Sequence, residues 1–494
     1  MSETEHSGLH ELMAVRREKA RELRELGIDP YPSRARRTTH ALEIHQRFDE
    51  LRDSDVIVAG RLMSLRRHGR MTFGSVRDES GDIQVMLRAD NLRDPKGYLS
   101  YERLRLLDVG DAVECAGTVT KTRRGEDTVD VAEIKLLAKS LRPLPEKWSG
   151  LRDDEARVRL RHLDFLLDRE RSARIRAVSE ILYAIRSFLH DHGFTEVLTP
   201  VLQPQYGGGR ARPFTTDVWA LGQTFYLAIS HELYLKRMIM GGFEQVFTIG
   251  RYFRNEGIDR SHNPEFSMLE TMSAYQNYEY NMDLIEAMYQ HVASTAFGRL
   301  EFETPGGEVS LAGPWRRVIM VEAVKEATSV DFRSVKDGRA ALADLGVEAE
   351  ANTVGEALVE AFEARVAPTL VQPTIVYGHP VEISPLSKRM ADDPRYAERF
   401  ELFIGGIEQG DNWTELNDPE ELHDRLLAER ERRQAGEEEA HALDVDFVQA
   451  MEWGMPPTTG LGPGIERLAM LLTGAQHIDD VMPFPLIRRL EDAP

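Results

Sequence analysis

The stretch Phe253-Arg254-Asn255-Glu256-Gly257-Ile258-Asp259-Arg260-Ser261-His262-Asn263-Pro264-Glu265-Phe266-Ser267-Met268-Leu269-Glu270 decides how this chain is read. It runs as strand, polar turn, strand, and a side-chain period of two puts Arg254 and Glu256 on one face, with Phe266 past the turn. Two other clusters share its chemistry. Gly193-Phe194-Thr195-Glu196-Val197-Leu198-Thr199-Pro200 follows a helical pattern and places a proline at a strand boundary. Gly460-Leu461-Gly462-Pro463-Gly464-Ile465-Glu466-Arg467-Leu468 is a glycine-rich strand end feeding an apolar helix, with Arg467 on its first turn. A lone glycine-rich loop says little about phosphate. An arginine on a hairpin strand, a loop with arginine and histidine, and an arginine beside glycines together suit a bent triphosphate and the charge that develops at an attacked phosphorus.

Outward from these clusters, the chain has 494 residues, with 62 Lys and Arg against 83 Asp and Glu, a formal charge of −21. Its one cysteine, Cys115, excludes an internal disulfide framework and a cysteine-based zinc site within one chain. No apolar run approaches the roughly 20 residues of a membrane span, and residues 1–10 are too polar for a signal peptide, so the expectation is a cytoplasmic enzyme with no membrane partner. The acidic balance argues against indiscriminate nucleic-acid binding but allows a local basic patch. Residues 9–27 read as an amphipathic helix carrying Arg16, Arg17, Lys19, Arg21 and Arg24. These cations face either solvent, paired with Glu11, Glu18, Glu22 and Glu25, or a phosphate backbone.

Residues 55–139 hold five short β segments, at 56–60, 72–76, 83–87, 112–117 and 128–131, with one longer helical connection expected at 91–106. That count fits a five-stranded oligonucleotide-binding (OB-fold) barrel, and Phe73 beside Gln84 suits stacking and edge recognition of an unpaired base. The expected organisation is a helical extension at 1–54, the barrel at 55–142, a linker at 143–165 and a large α+β domain at 166–494. That domain carries a helix at 172–192 and a mostly helical insertion at 315–370. The run Glu429-Arg430-Glu431-Arg432-Arg433 and the acidic 437–439 read as an exposed helix and loop.

The three clusters resemble motifs 1, 2 and 3 of class II aminoacyl-tRNA synthetases, and barrel followed by catalytic domain resembles the lysine, aspartate and asparagine subgroup. Gly207-Gly208-Gly209-Arg210-Ala211-Arg212-Pro213-Phe214, His231-Glu232-Leu233-Tyr234-Leu235-Lys236-Arg237, Ser384-Pro385-Leu386 and Glu415-Leu416-Asn417-Asp418 narrow it. Over roughly residues 10–490 the chain is similar to the class II lysine–tRNA ligase family. The resemblance implies an antiparallel catalytic sheet flanked by helices and ATP-dependent attachment of lysine to tRNA(Lys) through a lysyl-adenylate. Position by position it implies that Arg254 holds the α-phosphate and the substrate carboxylate, and that Phe266 and Arg467 sandwich the adenine. Glu256 and His262 would contact ATP. Glu401 and Glu408 would hold Mg²⁺, although two acids seven apart also read as solvated surface carboxylates. Gly208, Glu232, Glu270, Asp411, Trp413 and Glu415 would line the L-lysine pocket, whose acids meet no cation in the sequence pattern and so call for a substrate ammonium. Phe73, Gln84 and Glu133 would read the anticodon. A homodimer through motif 1 is also implied.

The chain departs from the family pattern in places. Met272 stands where a tyrosine hydroxyl usually meets the lysine ε-amino group, and Asp411-Asn412-Trp413 replaces an Asn-Gly-Phe run. Ser261 replaces an arginine before His262, Ala228 another before Glu232, and Pro463 and Glu466 stand for Ile and Asp. These changes raise the alternative of a paralogue charging a modified lysine or another cationic amino acid. A protein-lysylating enzyme would be expected to lack the barrel, and a catalytically dead RNA-binding relative to lack Arg254 and Arg467.

Overall fold

The computed structural model describes residues 3–145, 153–349, 351–434 and 443–488. Part of the expected linker, 146–152, and the acidic run at 437–439 therefore lie outside the described residues. The chain divides into two compact units, Met1–Arg152 and Asp153–Pro494.

In the first unit, β1 (Asp55–His68), β2 (Met71–Arg77), β3 (Asp82–Arg88), β4 (Ala112–Lys121) and β5 (Asp127–Ala138) close a barrel in the order β1-β2-β3-β5-β4. β2 and β3 alternate strictly between buried and half-exposed residues. One side of each strand therefore supplies Val76, Ile83, Val85 and Leu87 to an interior shared with Val113, Cys115 and Val129. All five expected strands form. The helix expected at 91–106 does not: Pro95 and Gly97, at φ 90°, break the pattern, and a 3₁₀ turn over Glu102–Leu106 is what remains.

Helix α1 (Glu3–Glu25) ends just before Gly27, whose φ of 72° is a left-handed stop. Two of its cations are already engaged. Arg16 donates to the carbonyls of Val109, Ser140 and Arg142 at 3.0–3.1 Å, and Lys19 meets Asp108 at 2.7 Å. Behind them the fully buried Lys139 ammonium lies between Asp108 and Asp111, at 2.6 and 2.8 Å. For these two residues the phosphate-backbone reading is therefore replaced by a clamp that fixes the helix to its own barrel.

The second unit is built on an eight-stranded sheet: β6 (Thr195–Glu196), β7 (Gln245–Phe253), β8 (Glu265–Ala274), β9 (Arg316–Ile319), β10 (Thr374–Pro380), β11 (Tyr396–Ile404), β12 (Ile407–Thr414) and β13 (Thr458–Pro463). The order is β9-β10-β11-β12-β13-β8-β7-β6, antiparallel except for the edge pairs β9–β10 and β6–β7. The helices used below are α2 (Arg169–Asp191), α3 (Glu232–Met240), α4 (Tyr278–Phe297), α5 (Val445–Met451) and α6 (Ile465–Thr473). Asp168 starts α2 three residues earlier than the apolar stripe alone indicates, because its carboxylate accepts from the amides of Glu170 and Arg171.

One face of the sheet is apolar. Phe247, Leu269, Phe400 and Leu461 pack there against Ile181 and Ile185 of α2, Ile285 and Met288 of α4, and Leu468 and Leu472 of α6. Because side chains alternate along each strand, the other face is left for Arg254, Phe266, Glu270, Met272, Asp411 and Trp413. The segment 315–370 opens with β9 at the sheet edge and only then becomes helical, at Met320–Thr328, Gly338–Asp344 and Val354–Arg365. The charged run at 429–433 is helical, within Pro419–Gln434, but Glu429 is buried and bonds Arg210 at 2.8 Å.

Candidate active site

The polar face of the sheet floors a cavity of about 410 Å³. Arg254, Glu256, His262, Phe266, Arg467 and Glu408 line one part of it, and Gly208, Glu232, Glu270, Asp411, Trp413 and Glu415 also line it. Residues up to 259 positions apart in sequence are thus brought together, as the sequence analysis expects. Glu401 is not among the lining residues.

At the nucleotide-suited end, Arg254 is nearly free of internal bonds: its Nε donates to the Ile229 carbonyl at a long 3.4 Å. Its guanidinium lies 5.3 Å from the centre of the Phe266 ring, which also stacks on Tyr252 at 5.8 Å. Arg467, expected to face Phe266 across an adenine, donates to the Glu408 carboxylate at 2.7 Å and lies 3.0 Å from His262 Nε2. Glu466, the residue before it, accepts from the Ser267 amide at 2.9 Å and so ties the start of α6 to β8.

The two acids expected to share a metal are differently engaged. Glu401 faces Arg399 at 2.8 Å and His379 at 3.4 Å, and although burial opposes it, these two partners hold its carboxyl down to about 2. Glu401 stands opposite Asp411 across β11–β12, and Asp411 takes the other side of Arg399 at 2.7 Å. Burial lifts Asp411 to about 6. Among the described residues no group of three or more metal-ligating side chains is assembled. Two carboxylates still suit Mg²⁺, which is commonly held by one or two acids together with substrate phosphate oxygens.

The acidic end is where structure and expectation differ most. Three carboxylates, Glu232, Glu270 and Glu415, are buried around it, yet a cation is already present. Lys236, one helical turn beyond Glu232 on α3 and itself buried, bonds Glu232 and reaches Glu415 Oε2 at 2.5 Å. Burial works against its charge, but the two acids outweigh it and raise its ammonium to about 12. The sequence signal was available: Glu and Lys at i and i+4 on a helix are neighbours. Glu415 Oε2 also accepts from the Trp413 indole at 2.8 Å, while Oε1 is buried with no partner. Glu270 accepts from the Ser230 hydroxyl at 2.6 Å and the His231 amide at 2.8 Å, and burial lifts it to about 7.

The floor beneath these acids is one row across three strands. Met272 pairs with Gly460, and Gly460 with Trp413. A Cβ on Gly460 would meet Glu415 Oε1 at 2.5 Å and the Met272 methyl at 2.8 Å, so a side chain is excluded there. Met272 itself packs under Leu235 and Ile239 of α3. Gly208, at φ 80°, has Ser230 Oγ and Glu232 Cβ closing on the place a Cβ would occupy, at 2.7 and 2.9 Å.

In the barrel, Phe73 and Gln84 lie on the outer faces of β2 and β3, one diagonal step apart. Gln84 is tied to Glu126 at 2.6 Å and Thr128 at 2.8 Å. Glu133 is five residues further along β5 than Thr128 and faces Arg36 and Arg93 at 3.6 and 3.8 Å.

Against known families, residues 153–488 match the model described as tRNA synthetases class II (D, K and N). The chain belongs to the class II tRNA synthetases. Residues 56–144 of this synthetase match the OB-fold nucleic acid binding domain. Its curated relatives include the lysine–tRNA ligase of Carboxydothermus hydrogenoformans, 47% identical over 98% of this chain and 99% of the relative. Those of Enterococcus faecalis and Bacillus subtilis are 45% and 43% identical, each over 99% of this chain and 100% of the relative. No helix among the described residues is long and apolar enough to cross a membrane.

Proposed function

We propose that this synthetase attaches lysine to tRNA(Lys) in the cytoplasm, in two steps. The lysine carboxylate attacks the α-phosphorus of ATP and pyrophosphate leaves. The 3′-hydroxyl of the terminal tRNA adenosine then attacks the lysyl-adenylate and releases AMP. The observation that carries the substrate is the meeting of Glu232, Glu270 and Glu415 in the same cavity as Arg254. Lys236 answers only part of this charge, so the buried carboxylates still favour an ammonium-bearing side chain over a neutral one.

Arg254 is the residue best placed to bridge the substrate carboxylate and α-phosphate, since it has almost no internal bonds to give up. An adenine stacking on Phe266 displaces its guanidinium from the ring and frees it for that work. Arg467 and His262 are set to meet the outer phosphates, with Glu256 at the rim of the same loop. Glu232 and Gly208 would hold the α-amino group. Glu270 and Glu415 would hold the ε-amino group, with Asp411 and Trp413 bracing them. Rate gain on this reading is positioning and charge stabilisation, with no general base.

Glu401 and Glu408 would hold Mg²⁺ together with phosphate oxygens, Glu401 being kept ionised by the groups beside it. Bound there, the metal would neutralise charge on the phosphates. In the barrel, Phe73 would stack on an anticodon base, with Gln84 and Glu133 reading base edges. A homodimer through the motif 1 segment is supported by Leu198, 95% exposed, beside exposed Val201 and Leu202. Sedimentation at micromolar concentration tests it, and a monomer refutes it.

The deciding experiment is ATP–pyrophosphate exchange with lysine, ornithine, arginine and hydroxylysine, followed by charging of total tRNA. Lysine is expected to give the highest kcat/KM. A higher value for any of the others assigns the enzyme to that amino acid instead.

A further inference from the structure

The cation at the bottom of the acidic pocket has a consequence for substrate choice. Glu232, Glu270 and Glu415 are buried around one cavity, and a carboxylate buried without a partner is strongly disfavoured. Lys236 meets two of the three, bonding Glu232 on its own helix and Glu415 just beyond β12. Apart from Arg254, whose charge reaches Glu270 from the nucleotide end, the other described elements packed there add no cation to the trio. α5 presents the Phe447 ring, 6.0 Å from the ammonium. β8 presents Glu270, and His231, whose ring burial keeps from protonating, begins α3. Asp411 is answered separately by Arg399 at 2.7 Å, and Arg254 lies at the nucleotide end beside Phe266.

The geometry points to Lys236 as a resident counter-ion that matches the charge of this pocket to a substrate bearing two ammonium groups, a role that rests on the lysine reading above. Once ionised, three carboxylates against one ammonium leave two negative charges, the number a diamino acid neutralises when its carboxylate is held by Arg254. A monoamino acid of the same length leaves one buried acid unanswered. Lys236 also joins the carboxylates assigned to the two ends of the substrate, Glu232 for the α-amino group and Glu415 for the ε-amino group, so it sets their spacing. It touches those acids and not the reacting atoms, and is a positioning residue. Burial already lifts Glu270 to about 7 and Glu415 to about 8, and Lys236 works against that rise at Glu415; without it the buried acids hold their protons more tightly, and lysine must displace those protons to bind.

The test is lysine-dependent ATP–pyrophosphate exchange by the full-length protein carrying Lys236→Met, which keeps side-chain length without charge, and Lys236→Arg, which keeps charge. In Lys236→Met the lysine KM is expected to rise about tenfold or more while the ATP KM stays within about twofold. That raised lysine KM is also expected to fall several-fold more steeply between about pH 7 and pH 8.5 than that of wild type, in which burial already lifts Glu270 to about 7 and Glu415 to about 8. Lys236→Arg is expected to keep the lysine KM within about threefold of wild type. An unchanged lysine KM in Lys236→Met, or a raised one with no added pH dependence, overturns the proposal. If the methionine variant does not fold, the arginine variant decides alone: a lysine KM raised about tenfold or more at unchanged ATP KM also overturns it. Wild-type exchange with lysine is the control for the underlying reading, and its absence fails that reading before any variant is compared.

Discussion

Replacing Trp413 by phenylalanine keeps an aromatic ring on the pocket floor and removes one hydrogen-bond donor. The donor is the indole N–H, 2.8 Å from Glu415 Oε2. Glu415 is fully buried, its Oε2 is shared with Lys236 and its Oε1 has no partner, so only the Lys236 ammonium is left to support it. A hydrogen bond to a charged acceptor is worth about 1.5–3 kcal/mol. At 1.4 kcal/mol per factor of ten, loss of that support corresponds to roughly 10- to 100-fold weaker lysine binding. The expected outcome in ATP–pyrophosphate exchange is a lysine KM raised by that factor, with the ATP KM unchanged because Trp413 is at the other end of the cavity. A companion change sharpens the test. Met272 is in the same cross-strand row, and its methyl and Glu415 Oε1 both crowd the space above Gly460. A phenol introduced by Met272→Tyr has that orphan oxygen as an acceptor, so the double variant is expected to recover part of the loss. A Trp413→Phe enzyme whose lysine KM stays within about twofold of wild type would falsify the claim that the indole holds Glu415 for the substrate.

Three further outcomes follow from the same geometry. Burial lifts Glu270 to about 7 from an ordinary 4.5, so the folded chain keeps a proton that the unfolded chain loses. That stabilisation is full below the lower value and is lost as pH rises through the upper one, so denaturation of wild type and Glu270→Gln should show their stability difference shrinking by about 2–3 kcal/mol from pH 5 to pH 8; a constant difference refutes it. Arg254→Ala is expected to lower exchange by about 100- to 1000-fold yet melt close to wild type, since the side chain makes one long bond to a carbonyl; near-normal exchange breaks the assigned role. Phe73→Ala should weaken tRNA charging by about 1–3 kcal/mol and leave exchange alone, and equal loss in both assays contradicts a role confined to the barrel.

Much of this architecture was legible because strands and helices write their periods into the sequence. The five barrel strands and α2 could be found from alternation and from an apolar stripe, and Gly27 and Gly193 mark helix ends by their left-handed backbone, at φ 72° and 83°. The helix expected at 91–106 failed because Pro95 and Gly97 outweigh the apolar residues around them. Motif spacing brought the lining residues of the cavity together, but spacing says nothing about who is bonded to whom. Arg254 and Arg467 look equivalent in the sequence. In the folded chain one lies over Phe266 and the other is held by Glu408 and His262. The acids of the pocket were visible and their counter-ion was overlooked, although Lys236 belongs to the quoted segment. Its significance depends on Glu415, which is 179 positions away and reaches it only through tertiary packing.

The attachment of α1 has an evolutionary corollary. Arg16 grips main-chain oxygens at Val109, Ser140 and Arg142 rather than side chains. Every amino acid offers the same carbonyl, so those three positions can drift in identity while the grip persists, provided the backbone path is kept. The constraint at these three positions falls on the guanidinium of Arg16, while Lys19 depends on a particular side chain, Asp108, and so ties two positions together.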